Sequence, residues 1–303
     1  MPTVKNYLSL IKFSHTIFAL PFAMIGFVLG IKTVDEFNKS LLIGKLQLNN
    51  FWSFFAIKLL LVLVCMVSAR SAAMAFNRYL DRNFDSKNPR TAIREIPSGI
   101  IAPNSALRFV IVNCLIFITA TFFINDICLY LSPIALLVIL FYSYTKRFTA
   151  LCHLVLGIGL SLAPIGAYLA ITGAFSFIPL LFSFAVIFWV SGFDIIYALQ
   201  DDEFDKANKL HSIPAALGKK KALKVSELLH FFCTICVIWA GWLGSFSWLY
   251  WLGVCIFIAM LVYQHSIVKP NDLSKVNIAF MTANGIASVV FAVFVIADLL
   301  ILA

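Results

Sequence analysis

Charged side chains are scarce in this chain: Asp, Glu, Lys and Arg make up 12% of its 303 residues. Soluble domains carry roughly 25%, so an ordinary water-facing globule is excluded. A glycine-rich phosphate loop, a Ser/His/Asp arrangement and a His/Cys cluster spaced for a metal are all missing. Cysteine is dispersed, with seven residues lying in apolar stretches. The one close pair, Cys233 and Cys236, lacks the polar surroundings and further ligands that redox or zinc chemistry needs. These thiols are read as core packing, and no disulfide framework is implied. No small-residue cleavage site follows the apolar run from Thr16 to Ile31, so the N-terminus reads as a retained span.

Apolar residues make up 62% of the chain, and the mean hydropathy is +0.96. A membrane span needs roughly 20 apolar residues. On that measure the sequence predicts an all-α polytopic bundle of about nine spans, near 10–31, 52–75, 106–124, 128–145, 151–171, 176–199, 228–246, 248–267 and 277–302. No room is left for a separate extramembrane domain, so residues 1–303 are expected to form one integral-membrane domain.

Lys and Arg concentrate in the connections after spans 2, 4, 6 and 8, including Arg90, Arg94, Lys146, Arg147 and Lys219–Lys221. Those after spans 3, 5 and 7 have none. This asymmetry predicts that the N-terminus and the basic loops face the cytoplasm, in a bacterial-type inner membrane. The connection after span 1 is an exception, with Lys32, Lys39 and Lys45. Topology and a phosphate-rich site account for the net charge of +9, and no nucleic-acid partner is expected.

Two acidic motifs end spans 2 and 6. In the first, Asn77, Asp81 and Asp85 recur at intervals of four, on one helical face. Such carboxylates repel unless a cation sits between them. Mg²⁺ prefers a few carboxylates together with phosphate oxygens and water, so this face suits a metal–diphosphate complex. The second motif holds Asp194, Tyr197, Asp201 and Asp205, and spacings of seven and four predict that its acids share a face. Spans 2 and 6 have the same orientation, so the chain reads as two pseudo-repeated halves with both clusters on one side.

Cations accompany the acids. Arg90 and Arg94 lie in a loop punctuated by Pro89, Pro97 and Gly99, where guanidinium groups can fold onto phosphates. Tyr142, Tyr144, Lys146 and Arg147 end span 4. Lys146 and Arg94 read as diphosphate ligands, joined by Arg90 and Arg147. Arg147 serves equally well as a topological anchor. Arg70, two turns before Asn77, is expected to face the bundle interior. His15 and His211 are candidates for contact with a second substrate, and His153 and His265 fit no pattern.

These motifs resemble the UbiA superfamily of intramembrane aromatic prenyltransferases. The resemblance rests on Asn77-x3-Asp81-x3-Asp85, Arg90-Thr-x2-Arg94, Tyr142-x3-Lys146-Arg147, Asp194-x2-Tyr197-x3-Asp201-x3-Asp205 and His211-Ser-Ile-Pro214, and it covers nearly the whole chain. Residues 12–22, 88–92 and 210–214 are similar to the 4-hydroxybenzoate branch and closer still to menaquinone-pathway relatives that use a dihydroxynaphthoate. The resemblance implies transfer of a prenyl group from a prenyl diphosphate to an aromatic acceptor, in ubiquinone or menaquinone biosynthesis. It also implies a central cavity open sideways to lipid. Asp81 and Asp85 would hold one Mg²⁺, and Asp201 and Asp205 another. Asn77 would assist, while Tyr142 and Tyr197 would lie near the allylic carbon. Arg70, Asp194, His15 and His211 would meet the acceptor. Haem, chlorophyllide or glycerophosphate acceptors stay open, as does the rival class of secondary transporters. One departure stands out: Lys209 occupies a position usually held by Gly. Oligomeric state is not legible.

Overall fold

A computed structural model describes residues 3–12, 18–40 and 48–302. Eight helices among these residues are long and apolar enough to cross a membrane. The ninth long helix, α2 (Leu20–Ser40), carries Lys32, Asp35 and Glu36 in its second half. A short α1 (Val4–Leu10) precedes it. The expected span over 10–31 is therefore corrected: residues 11 and 12 form a turn and α2 begins only at Leu20. Pro21 fits the start, because proline lacks an N–H and suits the first turn of a helix, where that donor would have no partner.

The other spans fall on the apolar runs, although α3 and α10 extend beyond them into polar sequence. α3 spans Leu48–Asp85, α4 Pro103–Ile124, α5 Asp126–Thr145, α6 Cys152–Thr172 and α7 Phe177–Ala198. After two short helices, α8 (Asp202–Ala207) and α9 (Ile213–Leu217), come α10 (Lys219–Leu243), α11 (Trp248–Ile267) and α12 (Asn284–Ala297). The first acidic motif is continuous helix to the end of α3, as its spacing predicts. The second is not. A tight 3-10 turn at Leu199–Asp201 separates α7 from α8, so Asp194, Asp201 and Asp205 do not share one regular face.

Helix α7 sits at the centre, packed against α6 and α10, while α2 lies on α6 and α3 on α4. Phe22 of α2, Phe182 and Trp189 of α7, Phe257 of α11 and Phe291 of α12 are fully buried in one cluster. Close approach replaces hydrophobic drive between helices in lipid. A Cβ on Gly26 would stand 2.0 Å from the Pro164 carbonyl oxygen, so α2 and α6 can meet only at glycine. Ile57, Leu60, Ile134, Leu137 and Val293 stay exposed on the outside, as a lipid-facing surface requires. The chain is a multi-pass membrane protein.

Candidate active site

The loop after α3 folds back over the helix end through main-chain bonds, including Thr91 N to Asn88 O at 2.9 Å, and the Thr91 hydroxyl donates to Asp85 O at 3.1 Å. Asn88 Oδ1 accepts from Arg90 N at 3.0 Å, an Asx-turn that aims Arg90 out of the loop. Arg90 then crosses to the other half of the protein. Its Nε donates to Asp201 Oδ1 at 3.1 Å, its Nη2 pairs with Oδ2, and its Nη1 donates to the Tyr197 hydroxyl at 3.2 Å. Asn88 Nδ2 donates to the same Asp201 at 3.3 Å. A residue that follows the first motif thus binds the second.

The other acids are paired in the same style. Arg94 Nη1 lies 2.6 Å from Asp85 Oδ1, and Lys146 Nζ lies 2.7 Å from Asp205 Oδ1. Arg147 Nη2 stands 3.5 Å from Asp81 Oδ1 and donates to the Leu80 carbonyl at 3.0 Å. Asn77 Nδ2 donates to Asp81 Oδ2 at 3.1 Å. Asp205 is wholly buried, and its second oxygen accepts from the Ser212 hydroxyl at 2.9 Å. Burial pulls the Lys146 pKa down, but the charges of Asp205 and Asp201 outweigh burial and raise it above the usual lysine value. Arg90 shows the same balance, with Asp201 and Tyr197 overcoming burial. Both side chains are firmly cationic.

Beside these pairs an apolar chamber of about 390 Å³ opens between α3, α4, α5 and α6. Arg70 and Tyr142 line one end, and Cys128, Leu169 and Phe175 line the other. From Tyr142 to Cys128 along α5, at 1.5 Å per residue, the chamber runs ~21 Å. Most of its wall is hydrocarbon, including Val62, Ala135, Leu160 and Gly166.

The UbiA prenyltransferase family matches residues 40–286. The chain belongs to that family. It is 29% identical over 223 residues to a 4-hydroxybenzoate octaprenyltransferase of Tolumonas auensis, covering 74% of this chain and 78% of the relative. A protein of the same name from Aeromonas salmonicida is 30% identical over 235 residues, covering 77% and 80%. Among solved structures, the apo UbiA homolog of Aeropyrum pernix K1 aligns with a TM-score of 0.75 at 27% identity, covering 94% of this chain and 96% of that one. A UbiA homolog of Archaeoglobus fulgidus, bound to DMAPP and Mg²⁺, shares the fold, with a TM-score of 0.71 at 21% identity and coverage of 98% and 100%.

Within this UbiA fold, Asn77, Asp81, Asp85, Arg90, Arg94, Lys146, Arg147, Tyr197, Asp201 and Asp205 come together at one end of the bundle. Arg70 and Tyr142 border the chamber. Asp194 pairs with His153, whose Nδ1 is 2.7 Å from Asp194 Oδ2. His211 has an exposed side chain, and its main chain does the work: its N–H donates to the Lys146 carbonyl at 2.7 Å and holds the second loop against α5. His15 lies outside the described residues. Sequence reasoning missed Asn88, His153 and Ser212. Asn88 and Ser212 had a local signal, an Asx-Pro turn and a Ser before an Ile-Pro helix start. His153 had none.

The residues fit a magnesium complex. The candidate donors are all oxygen or amide, and Asp85 Oδ2 is buried without a hydrogen-bond partner. Among the described residues no three His, Cys, Asp or Glu side chains group closely enough to enclose a metal. Such a site relies on further oxygens from its ligand.

Proposed function

We propose that this chain is a single-domain, Mg²⁺-dependent prenyltransferase of quinone biosynthesis. It would move a polyprenyl group from a prenyl diphosphate to a ring carbon of 4-hydroxybenzoate or a dihydroxynaphthoate. The observation that carries this reading is the junction of two features. Paired carboxylates and cations from both halves of the chain meet beside an apolar chamber that starts at Arg70 and Tyr142. A charged head and a long hydrocarbon tail are what that junction accommodates.

Asn77, Asp81 and Asp85 would hold one Mg²⁺, with Asp201 and Asp205 holding another. When bound, the ions supply positive charge to the leaving diphosphate as the allylic C–O bond breaks. Arg90, Arg94, Lys146 and Arg147, now engaged with the acids, would turn to the phosphate oxygens. Their attraction grows as charge develops on the leaving group, which is where it accelerates the reaction. Tyr142 lies at the chamber mouth, and its π-face is suited to positive character on the allylic carbon. Arg70, whose Nε is buried without a partner, would pair with the acceptor's carboxylate. The ring carbon attacks the allylic carbon directly and then loses its proton to the released diphosphate or to water, so no protein nucleophile is required. Basic loops on the same side as the site favour a cytoplasmic active site in the inner membrane.

The test is a transfer assay with purified protein, Mg²⁺ and a labelled prenyl diphosphate against a panel of acceptors. The expected product is a C-prenylated hydroxybenzoate or dihydroxynaphthoate, lost on chelation of the metal. Prenylation of glycerophosphate or a tetrapyrrole alone would overturn the assignment.

A further inference from the structure

His153, at the start of α6, is buried to 3% exposure, whereas Asp194 on α7 keeps 24% of its side chain exposed. The two helices approach because Gly157 allows it. A Cβ there would lie 2.6 Å from both the Ile187 carbonyl oxygen and Ser191 Oγ. Ser191 Oγ also donates to the His153 carbonyl at 3.1 Å, which fixes the backbone of α6 against α7 at this level.

The imidazole has two distinct partners. Ile213 N–H donates to His153 Nε2 at 3.3 Å, so Nε2 carries the lone pair. Nδ1 then carries the proton and donates to Asp194 Oδ2 at 2.7 Å. Among the described residues no donor reaches Asp194 Oδ1. Asp194 stands one helical turn before Tyr197, whose hydroxyl accepts from Arg90 in the charged site, and Tyr142 and Arg70 line the chamber. Asp194, with 24% of its side chain exposed, therefore lies one turn from the charged cluster on the same face of α7.

We propose that His153 is a positioning residue: it holds the Asp194 carboxylate so that Oδ1 accepts a hydrogen bond from the acceptor's ring hydroxyl, and it couples that carboxylate to the second loop through Ile213. This rests on the prenyl-transfer reading and deepens it. The acceptor class is an aromatic ring bearing a hydroxyl, oriented by Asp194, and an anionic group, held by Arg70. The hydrogen bond to Oδ1 strengthens as the ring oxygen gives up electron density to the attacking carbon, so its effect lies on turnover of the acceptor. It leaves binding of the prenyl diphosphate untouched.

Two isosteres separate this role from loop anchoring. His153→Asn keeps a donor near the Nδ1 position and loses the Nε2 acceptor. His153→Gln can reach the Ile213 N–H and loses the bond to Asp194. Each is measured with a hydroxylated acceptor and its methyl ether, alongside Asp194→Asn and a thermal melt. With the hydroxylated acceptor, kcat/KM of His153→Gln should fall about ten-fold or more below that of His153→Asn. The KM for prenyl diphosphate should hold, and the methyl ether should erase the difference. A poorer His153→Asn, or equal losses with both acceptors, overturns the positioning role and makes His153 a loop anchor. A wild type that binds prenyl diphosphate yet modifies no hydroxyaromatic overturns this inference together with the reading beneath it.

Discussion

Lys146→Met removes the ammonium that faces Asp205 while keeping the hydrocarbon stem. Asp205 is wholly buried, and its Oδ1 lies 2.7 Å from Lys146 Nζ. Stripping one partner from a buried ion pair costs about 3–5 kcal/mol, because the other charge is left uncompensated. Two features reduce that here. Lys146 keeps 34% of its side chain exposed, so water screens the pair, and Ser212 continues to donate to Asp205 Oδ2. A cost of about 2 kcal/mol is the expectation, or a fall in Tm on the order of 5 °C. The assay is thermal unfolding in detergent without divalent metal. Adding Asp205→Asn should return at least half of the loss, since no buried charge is then left unpaired, while prenyl transfer stays absent. If the double variant melts no higher than Lys146→Met, the ion pair is not what holds this end of the bundle. The sign of the pH effect follows from the raised lysine pKa. The contribution is fully present below the ordinary value of 10.5 and is lost only as pH rises through the higher folded value, so the deficit of Lys146→Met should not change between pH 7 and 9.

Lys209→Gly should raise stability by about 1 kcal/mol, because Lys209 holds a left-handed φ of 54° that costs any residue with a Cβ; a melt no higher than wild type refutes the strain. Gly166→Leu should fold normally, since a Cβ there meets nothing within 4 Å, but it grows into the chamber. Transfer of long prenyl chains should then fall about ten-fold relative to short ones; equal kcat/KM ratios for both lengths would place the tail elsewhere. Asp298→Ala should cost about 2 kcal/mol, read by thermal melt, because the buried carboxylate accepts from Ser247 N at 2.9 Å and Tyr250 N at 3.1 Å at the start of α11.

Most of the bundle was legible because lipid imposes long apolar runs, and those runs locate the spanning helices, although α3 continues to Asp85 and α10 begins at Lys219, both in polar sequence that a hydropathy window leaves out. The break before α2 was visible only in Pro21, which a hydropathy window averages away. The first acidic motif kept the regular spacing of its helix, so Asn77, Asp81 and Asp85 could be placed on one face. The second could not, because the 3-10 turn at Leu199–Asp201 changes the angle per residue. Lys209 was noticed as a departure from Gly. The structure shows that the turn survives it: Leu210 N donates to Asp205 O at 2.9 Å and Lys209 N to Lys206 O at 3.3 Å, a Schellman cap with Lys209 in the glycine position. Contacts across the fold carry no local signature. His153 meets Asp194 across 41 residues and Asn88 meets Asp201 across 113, so only packing reveals them.

The central claim is that the two acidic motifs, joined by Arg90 and Asp201, form one diphosphate site. Calorimetric binding of a non-transferable prenyl thiolodiphosphate, with and without Mg²⁺, tests it most directly. The account predicts metal-dependent binding of one ligand per chain, weakened at least about ten-fold by Asp81→Asn and equally by Asp201→Asn. Full-affinity binding in either variant, or binding indifferent to Mg²⁺, would contradict it.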